Sequence, residues 1–548
     1  KATAAFRNAA PARFFLPDAR VQMERALNAA RARFGSPYPL LIGDRRVDDR
    51  DRADVTYPAD PSVVVGRVAQ GTTEDVEAAV AATREAFPAW RDMVPEARKE
   101  ILFRAADLME KRRFDLAAVM VFESAKPWHE ADGDVTEAID YLRYYALQAQ
   151  ELATPRALHE FAAGGGLSHP RVPGEHAEYF HEGRGVTAVI APWNFPLAII
   201  CGMSVASLAA GNCAILKPAA QSPIIAFNLV ELLREAGVPE RAIQYLPGPG
   251  GRVGQALVEH PGIANIAFTG SKEVGLGIVQ SAARQPVQSP PATRDGGRGP
   301  RVAPKRVVAE MGGKNAIIID DDADLDQAVS GAIVSAFGYA GQKCSACSRL
   351  IIVGHAYDEA VSRLKNAVES LVVGPPDDPA TFVPPVIGAS AHDKIMEYIA
   401  LGQEEATLLA QASAPAGEGS YVPPSVFTDV GLDSRLAREE IFGPVLSVFR
   451  AATFEEALEL ALNSEFALTG GVYSRNPRHI EAAKREFRVG NLYINRKITG
   501  AVAGRHPFGG LAMSGIGEKA GGPDYVRQFM DPRSVTENTT RRGFAPEE

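Results

Sequence analysis

Three short apolar runs, each followed at once by a loop, constrain the fold of this chain most. They are VTAVIAP (186–192), CAILKP (213–218) and IANIAFTGS (263–271). Runs that are apolar at nearly every position are typical of parallel strands buried on both faces. Helical segments alternate with them over most of the chain, which predicts an α/β fold with a doubly wound sheet. Such sheets bind ligands where their strands end, so we expect the three loops to line a ligand site.

One helix is predicted in detail from its start signal. Thr72 and Asp75 form a capping-box pattern in TTEDVEAAVAATREAF. The residues that then fall on one helical face are Val76, Ala79, Val80, Thr83 and Phe87. We therefore expect an amphipathic helix from residue 73 onward.

Length, charge and cysteine content exclude several classes of protein. A chain of 548 residues exceeds one ordinary core, so two or three domains are expected. The formal net charge of −9 argues against a nucleic-acid partner, and no apolar run reaches the ~18 residues of a membrane span. Four cysteines do not make a disulfide framework, and the first residues lack the apolar core of a signal peptide. We expect a cytoplasmic protein.

The segment GYAGQKCSACSR (338–349) contains the best candidate for a reactive group. No second C-x2-C follows it, so a four-cysteine metal site is not favoured and no metal is expected. Cys201, Cys213 and Cys347 are interpreted as buried packing residues. Cys344 has small or polar neighbours, which suits a thiol at an open site. The residues alone leave a cysteine–histidine hydrolase possible.

Signals for phosphate and cation binding are weaker. PGPGGRVG (247–254) does not fit the dinucleotide fingerprint, whereas Gly270 and Ser271 stand at a predicted helix N-terminus that can hold an anion. Lys217 is either a ribose ligand or a solvated lysine. The acidic run at 320–326 lacks the EF-hand spacing and is interpreted as the start of a helix.

Three further segments are predicted from composition alone. Residues 284–304 are rich in Pro, Gly and Arg and are expected to form a mobile loop. Residues 161–185 interrupt the alternation of helices and strands, which favours a projecting hairpin. The polar tail from Gly521 onward is either disordered or a docked strand.

Seven short segments resemble the aldehyde dehydrogenase superfamily in kind and in order. They are PWNFP (192–196), KPAAQSP (217–223), FTGS (268–271), EMGGK (310–314), GQKC (341–344), EEIFGPV (439–445) and PFGG (507–510). The segments YPLLIG (38–43), KPWHEADGDVTEAIDYLRYYA (126–146) and TGAVAGRHPFGG (499–510) resemble the branch that oxidises L-glutamate γ-semialdehyde, formed from pyrroline-5-carboxylate, in proline breakdown. The chain has no room for a proline dehydrogenase half, so a monofunctional enzyme is expected.

The resemblance implies three catalytic roles. Cys344 would attack the aldehyde carbon to form a thiohemiacetal and then, after hydride loss, a thioester. Asn194 and the backbone N–H of Cys344 would stabilise the oxyanion. Glu310 would activate the water that hydrolyses the thioester.

The resemblance also implies NAD as the cofactor. Lys217 would bind the adenosine ribose and Ser271 the pyrophosphate, and Glu440 would bind the nicotinamide ribose. The remaining residues implied in cofactor binding are Trp193, Gly270, Gly312 and Phe442. Ala220 stands where relatives that prefer NAD often have glutamate, so NADP is also possible.

For the substrate, the resemblance implies a pocket between the nucleophile and a later loop. Ser345, Gly500 and Ala501 would bind the α-carboxylate, and Phe195 and Phe508 would line the aliphatic chain. Glu137 is a further candidate for substrate contact. Core packing is the alternative for the two phenylalanines.

The resemblance implies an aldehyde dehydrogenase-like α/β architecture in three parts. A Rossmann-type NAD(P)-binding domain would comprise 1–164, with an N-terminal arm at 1–37, and 188–307. A catalytic domain would span 308–499, and a substrate loop at 500–520 would return to the cofactor domain. A β-flap from 165–187 and 521–548 would pair with another subunit, giving a homo-oligomer. The alternatives are a dehydrogenase for another aldehyde and a catalytically silent protein of the same fold.

Overall fold

Two large, mainly parallel sheets organise the structure. The computed structural model of the chain describes residues 6–158, 174–289 and 301–539. Helices pack on the sheets, so the architecture is α/β, as predicted. Among the helices of these ranges, none combines the length and apolarity needed to cross a membrane.

The first sheet has eight strands and contains all three predicted apolar runs. Across the sheet they are Gly515–Ile516, Arg306–Glu310, Ile263–Thr269, Val186–Ile190, Cys213–Lys217, Ile243–Tyr245, Leu40–Ile42 and Arg45–Val47. The five strands from Arg306–Glu310 to Ile243–Tyr245 are parallel. Of the five parallel strands the chain forms Val186–Ile190 first, builds one side, and then returns to build the other from Ile263–Thr269. These two neighbours therefore flank the topological switch point, where doubly wound sheets bind ligands.

Burial on both faces explains why these strands are apolar throughout. Val189 and Leu216 pack into the core on one face, whereas Ala188 and Ile215 pack into the core on the other. Because successive side chains of a strand point to opposite faces, both sets must be apolar.

The second sheet has seven strands and its own core. Across the sheet they are Thr407–Gln411, Ser425–Thr428, Val445–Ala451, Cys347–Val353, Asn315–Ile319, Thr469–Tyr473 and Asn491–Ile494. All are parallel except the edge strand Thr407–Gln411. The strand Cys347–Val353 follows the candidate nucleophile, so this sheet positions the reactive segment.

The helices include the one predicted in detail. Thr73–Asp92 begins with the capping box of Thr72 and Asp75, and it buries Val76, Ala79, Val80 and Thr83 as predicted. The other helices of eight or more residues are Pro17–Arg31, Pro95–Lys111, Arg113–Ser124, Trp128–Ala153, Ala198–Ala209, Pro223–Glu235, Lys272–Arg284, Leu325–Phe337, Ala356–Glu369, Ala389–Glu405, Phe454–Leu462 and Pro477–Glu486.

The acidic run at 320–326 precedes a helix, as predicted. Asp324 is the N-cap of Leu325–Phe337 and accepts a hydrogen bond from the N–H of Gln327 at 3.1 Å. Carboxylates of Asp320, Asp321 and Asp322 lie close together. The Asp320 carboxylate is itself bound by Ser474 Oγ at 2.6 Å and by His479 Nδ1 at 2.7 Å.

A smaller sheet joins the projecting segment to the C-terminal tail. Glu175–Gly183 pairs antiparallel with Met530–Asn538 over nine residues, and Arg156–Ala157 adds a short third strand. Of the two interpretations of the tail, the docked strand is therefore correct over 530–538. Residues 161–173 of the predicted hairpin lie outside the described residues.

The predicted mobile loop at 284–304 is partly wrong. Its described ends form a short antiparallel ladder between Val287–Ser289 and Arg301–Ala303. The paired residues contain neither Pro nor Gly, so the composition of the segment as a whole did not indicate their pairing. Residues 290–300 lie outside the described residues. A third small sheet contains Ser36–Tyr38, Asp60–Ala69 and Arg52–Tyr57.

Candidate active site

The candidate site lies beside the carboxyl ends of two strands of the first sheet and the start of one strand of the second sheet. Asn194 follows the strand Val186–Ile190, and Glu310 is the last residue of Arg306–Glu310. Cys344 precedes the strand Cys347–Val353 of the second sheet. Asn194 Nδ2 donates to the carbonyl of Gln342, two residues before Cys344, and the Glu310 carboxylate contributes to the raised pKa of the Cys344 thiol, so the fold brings the three residues to one site.

The segment before Cys344 is held in an unusual backbone conformation. Tyr339, Ala340 and Gly341 are all left-handed, with φ of 56°, 55° and 68°. Left-handed non-glycine residues cost about 1–3 kcal/mol each and persist where the surroundings fix them. The buried Tyr339 hydroxyl donates to the Ser124 carbonyl at 2.7 Å, which is one such constraint.

Asn315 fixes the carbonyl groups around the nucleophile. Its Nδ2 donates to the carbonyl of Cys344 at 2.7 Å and to that of Ala346 at 2.9 Å. Its Oδ1 accepts from the N–H of Thr469 at 3.0 Å. A Cβ on Gly313 would lie 2.6 Å from the Cys344 carbonyl oxygen, so glycine is required beside it. The nucleophile segment is therefore preorganised.

The Cys344 thiol differs from the other cysteines in its exposure. Cys201, Cys213 and Cys347 are buried, as predicted, whereas Cys344 is half-buried; all four are free. Burial, followed by the carboxylates of Glu440 and Glu310, raises the pKa of the Cys344 thiol to about 12. The thiol is therefore neutral at pH 7, and it must lose its proton before it can act as a nucleophile.

Glu310 is the candidate base for the water that hydrolyses the thioester. Burial raises the pKa of Glu310 to about 8, although the N–H of Gly510 and the ammonium group of Lys519 favour the ionised form. The Gly510 N–H donates to Oε2 at 3.3 Å. A base is most effective when its pKa lies near the working pH, and Glu310 meets this condition.

Asn194 is buried and held by its neighbours on both sides. Its side-chain Nδ2 donates to the Gln342 carbonyl at 3.0 Å, and the backbone carbonyl of Asn194 accepts from Lys126 Nζ at 2.8 Å. Lys126 is fully buried and forms an ion pair with Asp134 at 3.0 Å. An amide nitrogen carries two hydrogens, so Asn194 retains a donor for an oxyanion.

Four of the predicted cofactor residues lie together. Glu440 Oε1 accepts from the N–H of Gly313 at 2.8 Å, and a Cβ on Gly312 would lie 2.6 Å from Glu440 Cδ. Phe442 has a left-handed φ of 61°, and its ring meets Trp193 edge-on with centroids 5.6 Å apart. Burial raises the pKa of Glu440.

Lys217, Gly270 and Ser271 occupy the ends of the strands next to the switch point. Lys217 is buried, so the solvated alternative is wrong; burial lowers its pKa, and its Nζ donates to the Pro218 carbonyl at 3.2 Å. Ser271 is the N-cap of Lys272–Arg284 and accepts from the Val274 N–H at 3.4 Å.

A second observation concerns whether these residues could hold a dinucleotide. Methyl groups added to Gly250 and Gly251 would meet nothing within 4 Å, and Gly254 lies beside the aliphatic chain of Lys217. An open glycine run, a buried amine and a helix N-terminus together suit a ribose and a pyrophosphate. The run PGPGGRVG therefore lies near the cofactor residues, which its spacing alone did not indicate.

The predicted substrate residues fall into two groups. Phe195 lies under Lys126, whose Nζ is 3.9 Å from the ring centroid. Ser345 is buried and its carbonyl accepts from Thr469 Oγ1 at 3.2 Å. Burial raises the pKa of Glu137 to about 7, and its Oε1 accepts from the Tyr141 hydroxyl at 2.7 Å.

The second group is on the loop after Asn491–Ile494. Gly500 is left-handed, with φ of 77°, and Ala501 beside it is half-buried. Phe508 is half-buried and forms a two-way backbone bridge with Ala520 at 2.7–2.8 Å. Lys497 Nζ lies 3.7 Å from the place of a Cβ on Gly500.

Sequence reasoning missed several residues that hold the site. Asn315, Lys126 and Lys519 each contact a segment far away in sequence, and no local pattern marks them.

Comparison with known proteins places the chain in a family. The sequence pattern of the aldehyde dehydrogenase family matches residues 46–535. The chain belongs to the aldehyde dehydrogenase family.

Its relatives within that family are more specific. A 1-pyrroline-5-carboxylate dehydrogenase of Geobacillus sp. (strain WCH70) is 44% identical over 519 residues, which cover 94% of this chain and 96% of the relative. In Bacillus subtilis (strain 168), 1-pyrroline-5-carboxylate dehydrogenase 2 is 42% identical over 515 residues, with 94% and 95% covered.

Solved structures agree with the fold. A crystal structure of 1-pyrroline-5-carboxylate dehydrogenase from Thermus with bound NAD matches with a TM-score of 0.90 and 42% identity, covering 98% of this chain and 100% of that one. Proline utilization A from Bdellovibrio bacteriovorus matches with a TM-score of 0.92 and 45% identity. All of this chain is covered there, but only 55% of that longer protein.

Proposed function

We propose that this chain is an NAD-dependent dehydrogenase that oxidises L-glutamate γ-semialdehyde, the open form of pyrroline-5-carboxylate, to L-glutamate in proline breakdown. The observation that carries the proposal is the convergence of Cys344, Glu310 and Asn194 at the strand ends of two sheets. A thiol, a base and an amide donor are the groups that thioester-forming oxidation of an aldehyde requires.

The first step is attack by Cys344 on the aldehyde carbon. The thiol proton is lost to solvent, because the thiolate and not the thiol is the nucleophile. As the C–S bond forms, the carbonyl electrons move to oxygen, and the second hydrogen of Asn194 Nδ2 and the N–H of Cys344 stabilise the oxyanion.

Cofactor binding uses the groups at the switch point. Lys217 and Ser271 hold the adenosine ribose and the pyrophosphate, and Glu440 holds the ribose on the nicotinamide side, with Trp193 and Phe442 beside it. A bound nicotinamide supplies the acceptor for the hydride that leaves the thiohemiacetal carbon, and a thioester on Cys344 is the product.

Hydrolysis of that thioester uses Glu310 again. Its ionised carboxylate takes a proton from water, the hydroxide adds to the thioester carbon, and the Cys344 thiolate leaves. Since the pKa of Glu310 is about 8, this step should be faster in mildly alkaline solution.

Positive charge near the substrate loop supports an amino-acid aldehyde as substrate. Lys497 lies beside Gly500, and its pKa is lowered by burial and by the nearby charge of Lys343. Cations near Gly500 and Ala501 favour an α-carboxylate there.

A steady-state assay tests the proposal. We expect turnover of pyrroline-5-carboxylate with NAD to exceed that of succinate semialdehyde and simple aldehydes by at least about tenfold in kcat/KM, which corresponds to about 1.4 kcal/mol. Ala220 is exposed and gives a 2′-phosphate room, so NADP is assayed in parallel. Equal turnover of all aldehydes would refute the substrate, and oxidation by Cys344→Ala would refute the mechanism.

We further propose the three-part domain division above, a cytoplasmic location and a homo-oligomer. The paired strands Glu175–Gly183 and Met530–Asn538 support an oligomerisation flap, because a two- to three-stranded sheet has little core of its own. Sedimentation at micromolar concentration tests the homo-oligomer, and a monomer would contradict it.

A further inference from the structure

Lys519 lies behind the candidate base and outside every role assigned so far. It is half-buried and follows the short strand Gly515–Ile516 at the edge of the first sheet. A Cβ on Gly509 would stand 3.0 Å from Glu310 Oε1 and 3.1 Å from Lys519 Cγ. Gly509 thus separates the two side chains, and only a glycine leaves both in place.

A single peptide unit connects the charge of Lys519 to the Glu310 carboxylate. Lys519 Nζ donates to the Gly509 carbonyl at 3.0 Å. The N–H of the same peptide, on Gly510, donates to Glu310 Oε2 at 3.3 Å. A cation at the carbonyl end polarises the peptide and strengthens its N–H as a donor.

The same ammonium group fixes the position of this peptide. Lys519 Nζ also donates to Asn491 Oδ1 at 3.2 Å and to the Gly490 carbonyl. Asn491 in turn accepts from the Gly509 N–H at 3.3 Å and donates to the Pro507 carbonyl at 2.8 Å. The Lys519 ammonium nitrogen therefore joins its own segment to the segments at Gly490–Asn491 and at Gly509.

We propose that Lys519 is a positioning residue that holds and polarises the Gly509–Gly510 peptide and thereby keeps Glu310 competent as the base for acyl-enzyme hydrolysis. The inference rests on the proposed role of Glu310. It predicts an effect on hydrolysis rather than on acylation, because the peptide contacts Glu310 and not the thiol.

The electrostatics agree with this arrangement. The charge of Lys519 lowers the pKa of Glu310 against the larger effect of burial, and Glu310 reciprocally favours the protonated amine. Losing a nearby opposite charge raises the pKa of a carboxyl group, by about one unit at the low end of the usual range. With Glu310 at about 8, one further unit reduces the ionised fraction at pH 7 about tenfold.

The test uses p-nitrophenyl acetate, which acylates a reactive thiol without nicotinamide or semialdehyde. The thiolate expels nitrophenolate in a burst, and water then releases acetate in the steady state. For Lys519→Met we expect an unchanged burst and a steady-state rate lowered about tenfold at pH 7. The acid limb of the pH profile of the steady-state rate should move up by about one pH unit. Lys519→Arg should recover the wild-type limb.

Two controls keep the result interpretable. Lys484→Met removes an exposed lysine that pairs with Glu481, and it should match wild type. If Lys519→Met does not fold, Lys519→Gln replaces it, since glutamine keeps a donor but loses the charge. An unmoved pH limb would overturn the proposal, as would equal loss of burst and steady rate. Failure to oxidise pyrroline-5-carboxylate would refute the proposed function instead, because the ester assay does not use that substrate.

Discussion

Replacing Asn315 by alanine should disable the nucleophile segment without touching a reacting group. The substitution removes one side chain that is 3% exposed and bonds to Cys344, Ala346 and Thr469. Two carbonyls and one N–H lose their partner. At about 1 kcal/mol for each group left unsatisfied, the free energy of unfolding should fall by about 3 kcal/mol.

The effect on catalysis should be larger than the effect on stability suggests. The Cys344 carbonyl is fixed by Asn315 at 2.7 Å, so its loss lets the thiol and the backbone N–H of Cys344 move. A displacement of about 1 Å at a reacting group costs about 10²-fold, which we expect in kcat/KM. KM for NAD should change little, because Asn315 bonds to neither Lys217 nor Ser271.

The measurements are a thermal melt and steady-state kinetics on the same preparation. Asn228→Ala is the matched control, since its side chain makes one hydrogen bond, to the Ile224 carbonyl of its own helix at 2.9 Å. It should leave kcat/KM within about twofold. Its effect on the free energy of unfolding should be small, as it is for most surface substitutions. If Asn315→Ala retained both wild-type kcat/KM and wild-type melting temperature, the argument for a preorganised nucleophile segment would be wrong.

Three other outcomes are expected. The rate of acyl-enzyme hydrolysis should rise as pH increases through about 8, because the ionised form of Glu310 is the active base and burial raises its pKa; a rate that falls over this range contradicts the assignment. Asn194→Ala should lower kcat by about 10²–10³-fold in stopped-flow assays, and an unchanged kcat would remove it from the oxyanion site. Lys126→Met should lower the free energy of unfolding by about 3–5 kcal/mol in denaturant titrations, since it leaves the buried Asp134 unpaired, whereas an unchanged midpoint would show that the pair is dispensable.

Much of the fold was predictable because local sequence carries it. The runs 186–192, 213–218 and 263–271 are apolar since both faces of the sheet are covered, and their loops mark the switch point. The start of Thr73–Asp92 was predictable from a capping box, which involves residues three apart. Pairing of the tail with Glu175–Gly183 was indicated only by the family resemblance, because polar edge strands carry little apolar signal of their own.

The candidate site was predictable in residue type but not in its electrostatics. Cys344 was singled out from small neighbours, yet its raised pKa depends on burial and on Glu440, which is remote in sequence. Lys519 and Asn315 act through hydrogen bonds to backbone groups of distant segments. Such contacts leave no spacing pattern, and only the assembled chain shows them.

Localising the covalent adduct tests the central claim most directly. Glu310→Gln should stop at the thioester when it is mixed with pyrroline-5-carboxylate and NAD, because it lacks the base for hydrolysis. Trypsin cleaves after Lys343 and Arg349, so tandem mass spectra of the peptide between them can separate Cys344 from Cys347. We predict a glutamyl group on Cys344 in nearly every molecule. A glutamyl group on Cys347, or no adduct in an enzyme that still reduces NAD, would contradict the account.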